Sequence, residues 1–279
     1  MQQLLSVCGF LLLALAGGQL SPQNAAGVAM GHLHYHVRDV EANKKFWVAL
    51  GGQAARLGST DVVKFPGVVI VLTAGPSSGG TNGSVVNHVA FRVQSFATVE
   101  SAGFTVQRLA QFPGVGSINT PEGERIELFE NAATNLTFTP DSGPPDSVAD
   151  RHNHPLPIPV AFHHVHLYLP QGADVTAKNW YAQMFGGVPG KRSNYQAVDL
   201  PGINLNFSGQ ATAQASTAGR MLDHIGFEVR GLEGFCKQLE ARGVKLDRTY
   251  SKGADGVATA SLTDPWGTSI ELTEGLNRL

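Results

Sequence analysis

The stretch His163-His164-Val165-His166-Leu167-Tyr168-Leu169 decides the fold, because three similar stretches occur elsewhere in the chain. Each reads as a short strand that is followed by a helix and then by further strands. The sequence therefore predicts an α+β protein of four similar segments, a tandem repeat. The other opening stretches are Gly31–Val37, Asn87–Val93 and Asp223–Val229. The predicted helices are about Val40 to Leu50, Phe96 to Ser101, Val175 to Phe185 and Leu232 to Arg242.

A stretch rich in Pro, Asn and Asp, residues 132–160, separates the first two segments from the last two. Its composition is typical of a linker that crosses the surface. A single segment of about 50 residues is too small to bury both faces of its own sheet. We therefore expect an N-terminal domain at residues 28–131 and a C-terminal domain at residues 161–275, each made of two consecutive segments.

The chain has 279 residues and a net charge of −2, with no long basic run, so a nucleic-acid partner is not expected. Residues 1–16 read as a signal peptide, because Leu4 to Ala16 is almost wholly apolar and ends in a small-x-small pattern. Met1-Gln2-Gln3 carries no positive charge, so an uncleaved membrane-associated helix is the alternative. We expect an exported protein, periplasmic or secreted, without a stable membrane span once processed. Cleavage would leave Cys236 as the single cysteine, so no disulfide is expected within the mature chain.

Two histidines and one glutamate recur in each half of the chain at similar spacing. His88 follows His32 by 56 residues, and His224 follows His164 by 60 residues. Two neutral imidazoles and a carboxylate fill three positions of a divalent metal and leave the others open to substrate. The sequence predicts a main metal site at His164, His224 and Glu271 and a second site at His32, His88 and Glu127.

The four segments resemble the vicinal oxygen chelate superfamily, the group of glyoxalase I, bleomycin-resistance proteins and extradiol dioxygenases. The resemblance rests on the opening His-Val-x-Leu strands, the closing Ile-Glu-Leu strands and the turn Asp264-Pro265-Trp266-Gly267 before Glu271. It implies four βαβββ modules that pair into two curled mixed-sheet domains around metal cavities. It further implies a small-molecule substrate with vicinal oxygens, a possible homodimer and a divalent metal. Fe(II) is the first expectation for that metal, with Mn(II), Zn(II) or Ni(II) as alternatives.

The resemblance leaves three functions open. Extradiol-dioxygenase-like ring cleavage ranks first by its ligand set, although Ser261 stands where those enzymes carry a tyrosine. A glyoxalase-like lyase or isomerase, which works through an enediolate held on the metal, is the second. It is weakened because Val71 and Asn206 stand where glyoxalase I carries a further glutamate. A metal-free small-molecule binding or sequestration protein of the bleomycin-resistance type is the third.

Further histidines are candidates for acid–base work. His34 and His36 are predicted to share a sheet face with His32, and His166 to share one with His164. An imidazole beside a bound substrate is a natural acid or base near neutral pH. The candidate catalytic residues are His34, His166 and Tyr250.

Other polar residues are expected to lie away from the metal. His163 is predicted to face away from His164, and His152 and His154 lie in the linker, so all three are expected to be solvated. Lys191 and Arg192 follow a Gly-Gly turn and either contact an anionic substrate or form a solvated loop.

Overall fold

The computed structural model describes residues 19–133, 137–143 and 154–279. The predicted signal peptide, His152 and part of the linker lie outside these ranges. Within them, no helix has the length and apolar character needed to cross a membrane.

Four βαβββ modules follow one another along the chain, as the sequence predicts. The first contains β1 (Val28–Val37), α1 (Val40–Ala49), β2 (Gln53–Leu57), β3 (Thr60–Phe65) and β4 (Val68–Ala74). The second contains β5 (Val86–Val93), α2 (Phe96–Ser101), β6 (Gln107–Arg108), β7 (Val115–Asn119) and β8 (Arg125–Glu130). After β9 (Phe138–Pro140), the third contains β10 (Val160–Pro170), α3 (Asp174–Phe185), β11 (Val188–Arg192), β12 (Tyr195–Leu200) and β13 (Ile203–Gln210). The fourth contains β14 (Leu222–Val229), α4 (Leu232–Ala241), β15 (Leu246–Lys252), β16 (Ala258–Thr263) and β17 (Ser269–Glu274), before a 3-10 helix at Leu276–Arg278.

Local signals set the ends of the helices. Asp39 caps α1 by accepting a hydrogen bond from the backbone N–H of Ala42, which satisfies one of the free donors of the first turn. Helix α3 ends at Gly186, whose φ of 69° lies in the left-handed region that glycine adopts without a steric penalty. The helix positions read from the sequence are thus within one residue of those observed.

The modules do not pair consecutively in the sheets. One sheet has eight strands in the order β15-β16-β17-β14-β1-β4-β3-β2, and joins the first module to the fourth. The other has nine strands in the order β6-β7-β8-β5-β10-β13-β12-β11-β9, and joins the second module to the third. The central contacts are antiparallel, β1 with β14 and β5 with β10. The expectation that residues 28–131 and 161–275 each form a self-contained pair of modules is therefore wrong.

The pairings of the first module with the fourth and of the second with the third are possible because all four opening strands have the same sequence pattern and can pair with one another. The entropy cost of closing a loop rises only slowly with its length, so joining the first and fourth modules is not prohibitive. Consecutive modules still touch through their turns. Glu122, in the turn before β8, accepts hydrogen bonds from Arg38 N at 2.6 Å and from Asn43 Nδ2 at 3.1 Å at the start of α1.

One continuous apolar core lies between the two sheets and the helices that pack against them. It includes Trp47 and Tyr181, which are fully buried, and residues from all four modules. Cys236 of α4 is buried in the same core and is a free thiol. The opposite faces of the sheets are left to form cavities.

Both central strand pairs carry a β-bulge. The register of β10 against β5 shifts between Phe162 and His164, and that of β1 against β14 shifts between Met30 and His32. A bulge places an extra residue on one strand and re-aims its side chain. As a result, His163 is 2 % exposed and its Nδ1 lies 2.8 Å from His164 Nδ1. The expectation that His163 is solvated is wrong, whereas His154 is exposed as expected.

Candidate metal centres

The first candidate centre lies where the first and fourth modules meet, and we call it the terminal site. It consists of His32 on β1, His224 on β14 and Glu271 on β17. His32 Nε2 lies 3.3 Å from Glu271 Oε2, and His224 Nε2 lies 3.6 Å from the same oxygen. A metal with ligands at about 2.0 to 2.2 Å holds neighbouring ligand atoms about 3 to 3.6 Å apart. The spacing thus fits three ligands around one ion.

One buried nitrogen atom without a partner supports this fit. No hydrogen-bond partner for His224 Nε2 is present among the described residues, although the atom is buried. A buried polar atom without a partner costs free energy, so this atom calls for a ligand. A His-His-Glu donor set with open positions suits Fe(II), Mn(II), Zn(II) or Ni(II).

Neighbouring groups orient the terminal site. Asp223 Oδ1 accepts a hydrogen bond from His224 Nδ1 at 2.6 Å, which fixes the ring with Nε2 toward Glu271. Such carboxylate–histidine pairs commonly orient metal ligands. Arg248 Nη2 donates to Glu271 Oε1 at 2.8 Å and so leaves Oε2 for the ion. His34 stacks edge-on against His224, with ring centroids 4.6 Å apart, and its Nε2 bonds to Thr73 Oγ1.

The second candidate centre lies where the second and third modules meet, and we call it the central site. It consists of His88 on β5, Glu127 on β8 and His164 on β10. His88 Nε2 lies 3.2 Å from Glu127 Oε2, and His164 Nε2 lies 3.4 Å from both of these atoms. Three donor atoms within 3.4 Å of one another can form one face of a coordination shell, and His166 also lies close enough to His88 and His164 to be a donor, so this site fits a metal as well.

The surroundings of the central site differ from those of the terminal site. Asn87 Oδ1 lies 2.8 Å from His88 Nδ1, in the place that Asp223 takes beside His224. Arg125 Nη2 also approaches His88 Nδ1, at 2.6 Å. His166 bonds to Ser208 Oγ through Nε2 at 2.7 Å, and its ring centroid lies 5.0 Å from that of His88.

All six predicted ligand residues therefore lie in candidate centres, but the predicted grouping is wrong. The sequence places His164 with His224 and Glu271, whereas the structure brings His32 to that pair. It likewise brings His164, not His32, to His88 and Glu127. The cause is the crossed pairing of modules, because a histidine on an opening strand joins whichever module its strand pairs with.

Each site opens into its own cavity. The cavity at the terminal site has a volume of about 300 Å³, and that at the central site about 460 Å³. His34 lines the first and His166 the second, so two of the three candidate catalytic residues face a candidate centre. Tyr250 lies elsewhere, in a surface groove beside Glu228 and Arg230.

The structure also places the three residues that depart from the glyoxalase I and dioxygenase patterns, namely Val71, Asn206 and Ser261. Val71 lies beside His34 and Asn206 beside His166 in the parallel strand pairs, so neither cavity has a carboxylate at that position. Ser261 lies opposite Glu271 and accepts a hydrogen bond from Arg248 Nε at 3.2 Å. The sequence does not indicate a role for Arg248, because its contact with Glu271 depends on strand register.

Burial keeps most of the imidazoles neutral, which is the form that binds a metal. It lowers the pKa of His164 to about 3, with the nearby Arg192 charge adding to the effect. It also lowers the pKa of His34 to about 3. The pKa values of His32, His88 and His166 are lowered for the same reason.

His224 differs from the other histidines of the two sites. Burial by itself lowers its pKa, but the hydrogen bond to Asp223 and the negative charges of Asp223 and Glu271 outweigh burial and raise the pKa above its ordinary value. Burial likewise opposes ionisation of Glu271 and Glu127, yet their histidine neighbours hold both pKa values below the usual range. Both carboxylates are therefore charged and ready to bind a cation.

Comparisons with known proteins agree with the four-module architecture. Glyoxalase I from Zea mays is 14 % identical, with a TM-score of 0.59 over 90 % of this chain and 94 % of that one. A putative dioxygenase from Bacillus subtilis is 13 % identical, with a TM-score of 0.61 over 92 % and 86 %. The cppA protein from Streptococcus pneumoniae is 12 % identical, with a TM-score of 0.50 over 91 % and 100 %. At these identities the likeness concerns the fold alone.

No curated protein matches the chain significantly. The family model of the Glyoxalase/Bleomycin resistance protein/Dioxygenase superfamily matches residues 29–272, which include all four modules and both candidate centres. The chain therefore belongs to the Glyoxalase/Bleomycin resistance protein/Dioxygenase superfamily.

Proposed function

We propose that the protein is a divalent-metal-dependent enzyme that acts on small substrates with two adjacent oxygen atoms, and that its reaction is a ring-cleaving oxygenation of a catechol. The observation that carries the proposal is the His-His-Glu geometry of both sites. Each set supplies three donors, and Val71 and Asn206 add no fourth carboxylate. Three donors leave positions for two substrate oxygens and for O₂.

The metal, when bound, would lower the pKa of the substrate hydroxyls and would hold the reactants together. The surrounding residues have simpler tasks. Asp223 fixes the His224 ring, and Arg248 holds one oxygen of Glu271. His34 and His166 line the two cavities as neutral imidazoles that can hydrogen-bond a substrate hydroxyl.

A lyase or isomerase acting through an enediolate is the second candidate, and one observation favours it. Arg125 and Arg192 line the cavity of the central site. Fixed positive charges of this kind stabilise negative charge that develops on a substrate oxygen. Sequestration of a small molecule without a metal is the third candidate, and it is the result to expect if neither site binds an ion.

The first experiment measures metal and oxygen together. The protein is purified without added metal, treated with chelator and reloaded anaerobically with Fe(II), Mn(II), Zn(II) or Ni(II). The matched control is the double variant Glu127→Ala/Glu271→Ala, which lacks both carboxylate ligands. We expect two ions per wild-type chain, and catechol-dependent O₂ uptake with Fe(II). Metal content no higher than in the double variant would exclude a metal enzyme. Metal binding without O₂ uptake, but with turnover of a 2-oxoaldehyde–thiol adduct, would favour the second candidate.

Export directed by residues 1–16 and association of two copies are separate proposals. Cell fractionation with and without these residues tests the first, and the mass of the purified chain in solution tests the second.

A further inference from the structure

The two cavities are built from equivalent positions that carry different side chains. Arg192 is the last residue of β11 and pairs with Tyr195 across a two-residue turn. Leu57 is the last residue of β2 and pairs with Thr60 across a turn of the same length. The turns also match in backbone, since Ser193 has a φ of 52° and Gly58 a φ of 57°. An arginine at the central site thus replaces a leucine at the terminal site.

The guanidinium of Arg192 is held in a fixed orientation. Its Nε donates to Asn206 Oδ1 at 2.9 Å, and the side chain is 2 % exposed. Its Cζ lies 5.4 Å from the centroid of the Phe129 ring and 5.7 Å from that of Tyr195. Burial lowers its pKa only to about 10, so it is charged at neutral pH. An arginine fixed in this way is preorganised for a planar anion such as a carboxylate.

The charges of the two linings differ in sign. Among the described residues that line the central cavity, Arg125 and Arg192 outnumber Glu127, so this lining has a net positive charge before any metal binds. The described lining of the terminal cavity contains Glu271 and Asp255 and no arginine or lysine, and Arg248 balances only one of these two charges through its contact with Glu271. A divalent ion would add the same charge to both, so the difference between them would persist.

The mouth of the central cavity is apolar. Phe112, Leu109 and Tyr195 line it and are 55 %, 42 % and 39 % exposed, which is high for large hydrophobic side chains. Apolar side chains around a few fixed polar groups are typical of small-molecule sites. They fit a substrate with an aromatic or other apolar body.

We propose that the two sites select different substrates, and that the central site takes an aromatic compound that bears a carboxylate as well as vicinal oxygens. The carboxylate lies against Arg192, with Arg125 nearby, and the ring lies against Tyr195 and Phe112. The terminal site takes uncharged counterparts. The vicinal oxygens rest on the proposed function, whereas selection of the carboxylate depends on the arginines alone.

The test compares protocatechuate, a catechol with a carboxylate, and plain catechol by calorimetry on Zn(II)-loaded protein, which does not turn over oxidatively. Glu271→Ala isolates the central site and Glu127→Ala isolates the terminal site. At the central site, we expect protocatechuate to bind roughly ten- to a hundred-fold more tightly than catechol, as for a charge-assisted hydrogen-bonded pair. The terminal site should not prefer protocatechuate.

Arg192→Leu, which copies Leu57 of the terminal site, should abolish the preference of the central site for protocatechuate over catechol. The control Arg108→Leu removes the same charge from an exposed arginine that pairs with Glu100, and should keep the preference. Equal affinities for the two ligands at the central site, or an unchanged preference in Arg192→Leu, would overturn the proposal.

Two further measurements keep the inference separate from the proposed function. If Arg192→Leu does not fold, Arg192→Lys should weaken the preference for protocatechuate, because lysine keeps the charge but lacks the planar fork that matches a carboxylate. An unchanged preference in a folded Arg192→Lys protein would count against the arginine. If no Zn(II) binds, the proposed function fails, and benzoate binding to the metal-free protein with and without Arg192→Leu still tests the anion site.

Discussion

Gly226→Ala should disable the terminal site while leaving the central site intact. Gly226 lies opposite His32 in the β1–β14 pair, and the His32 ring lies directly over it. A Cβ added to Gly226 would lie 2.1 Å from both Cε1 and Nδ1 of that ring. Non-bonded carbon atoms prefer about 3.5 to 4 Å, so the ring would have to move by more than an ångström.

The loss of folding free energy in Gly226→Ala depends on where the His32 ring can move. Overpacking a core costs about 1 to 3 kcal/mol. We expect about 1 kcal/mol, the lower end of that range, because a cavity of about 300 Å³ adjoins His32 and the ring can move into it. Its Nε2 would then leave the position 3.3 Å from Glu271 Oε2. Even mutation of outer partners costs about ten- to a hundred-fold in metal affinity, so loss of a ligand should cost at least that much.

The assay is a competition titration with a chromophoric chelator, which gives the number and affinity of Zn(II) sites. We expect one strong site in Gly226→Ala against two in the wild type. The control Gly234→Ala lies in α4, where a Cβ meets no atom within 4 Å, and should keep both sites. Two unchanged sites in a folded Gly226→Ala protein would refute the role assigned to His32.

Three further outcomes are expected. Metal affinity at the terminal site should rise with pH, because the raised pKa of His224 makes a proton compete with the ion. In the metal-free protein, the same pKa shift stabilises the fold fully below the ordinary pKa of histidine, and this contribution is lost as the pH rises through the pKa of His224 in the folded protein. At the central site, where His164 has a pKa of about 3, the metal affinity should change little between about pH 6 and 8. Equal pH dependence of metal affinity in the two single-site variants would contradict this. Glu127→Ala should lower the stoichiometry to one ion, since Glu127 contacts the ligand atoms of only the central site; loss of both ions would show that the sites are not independent. Tyr181→Phe removes the 2.7 Å hydrogen bond to buried Asp264, and urea unfolding should show a loss of about 1 to 3 kcal/mol; an unchanged midpoint would mean that the bond adds no stability.

The elements of the modules follow from the sequence because their signals are local. Asp39 and Gly51 mark the ends of α1, and alternating or continuous apolar residues mark the strands. The residue types of both sites are predictable for the same reason, since a histidine on an opening strand and a glutamate on a closing strand recur in fixed places. His163 does not follow the period-two alternation of its strand, because a bulge between Phe162 and His164 changes which face a side chain takes, and the sequence pattern contains no sign of that bulge.

The sequence by itself determined four modules, the donor residues and the α+β class, all of which depend on contacts between residues close along the chain. Only the tertiary structure decided which module meets which, and therefore that His32 joins His224 and Glu271 while His164 joins His88 and Glu127. The opening strands share one pattern, so spacing along the chain favours no pairing among them. The choice depends on the packing of whole modules against each other. The same packing places Arg192 in one cavity and Leu57 in the other, and so gives two similar donor sets different charges.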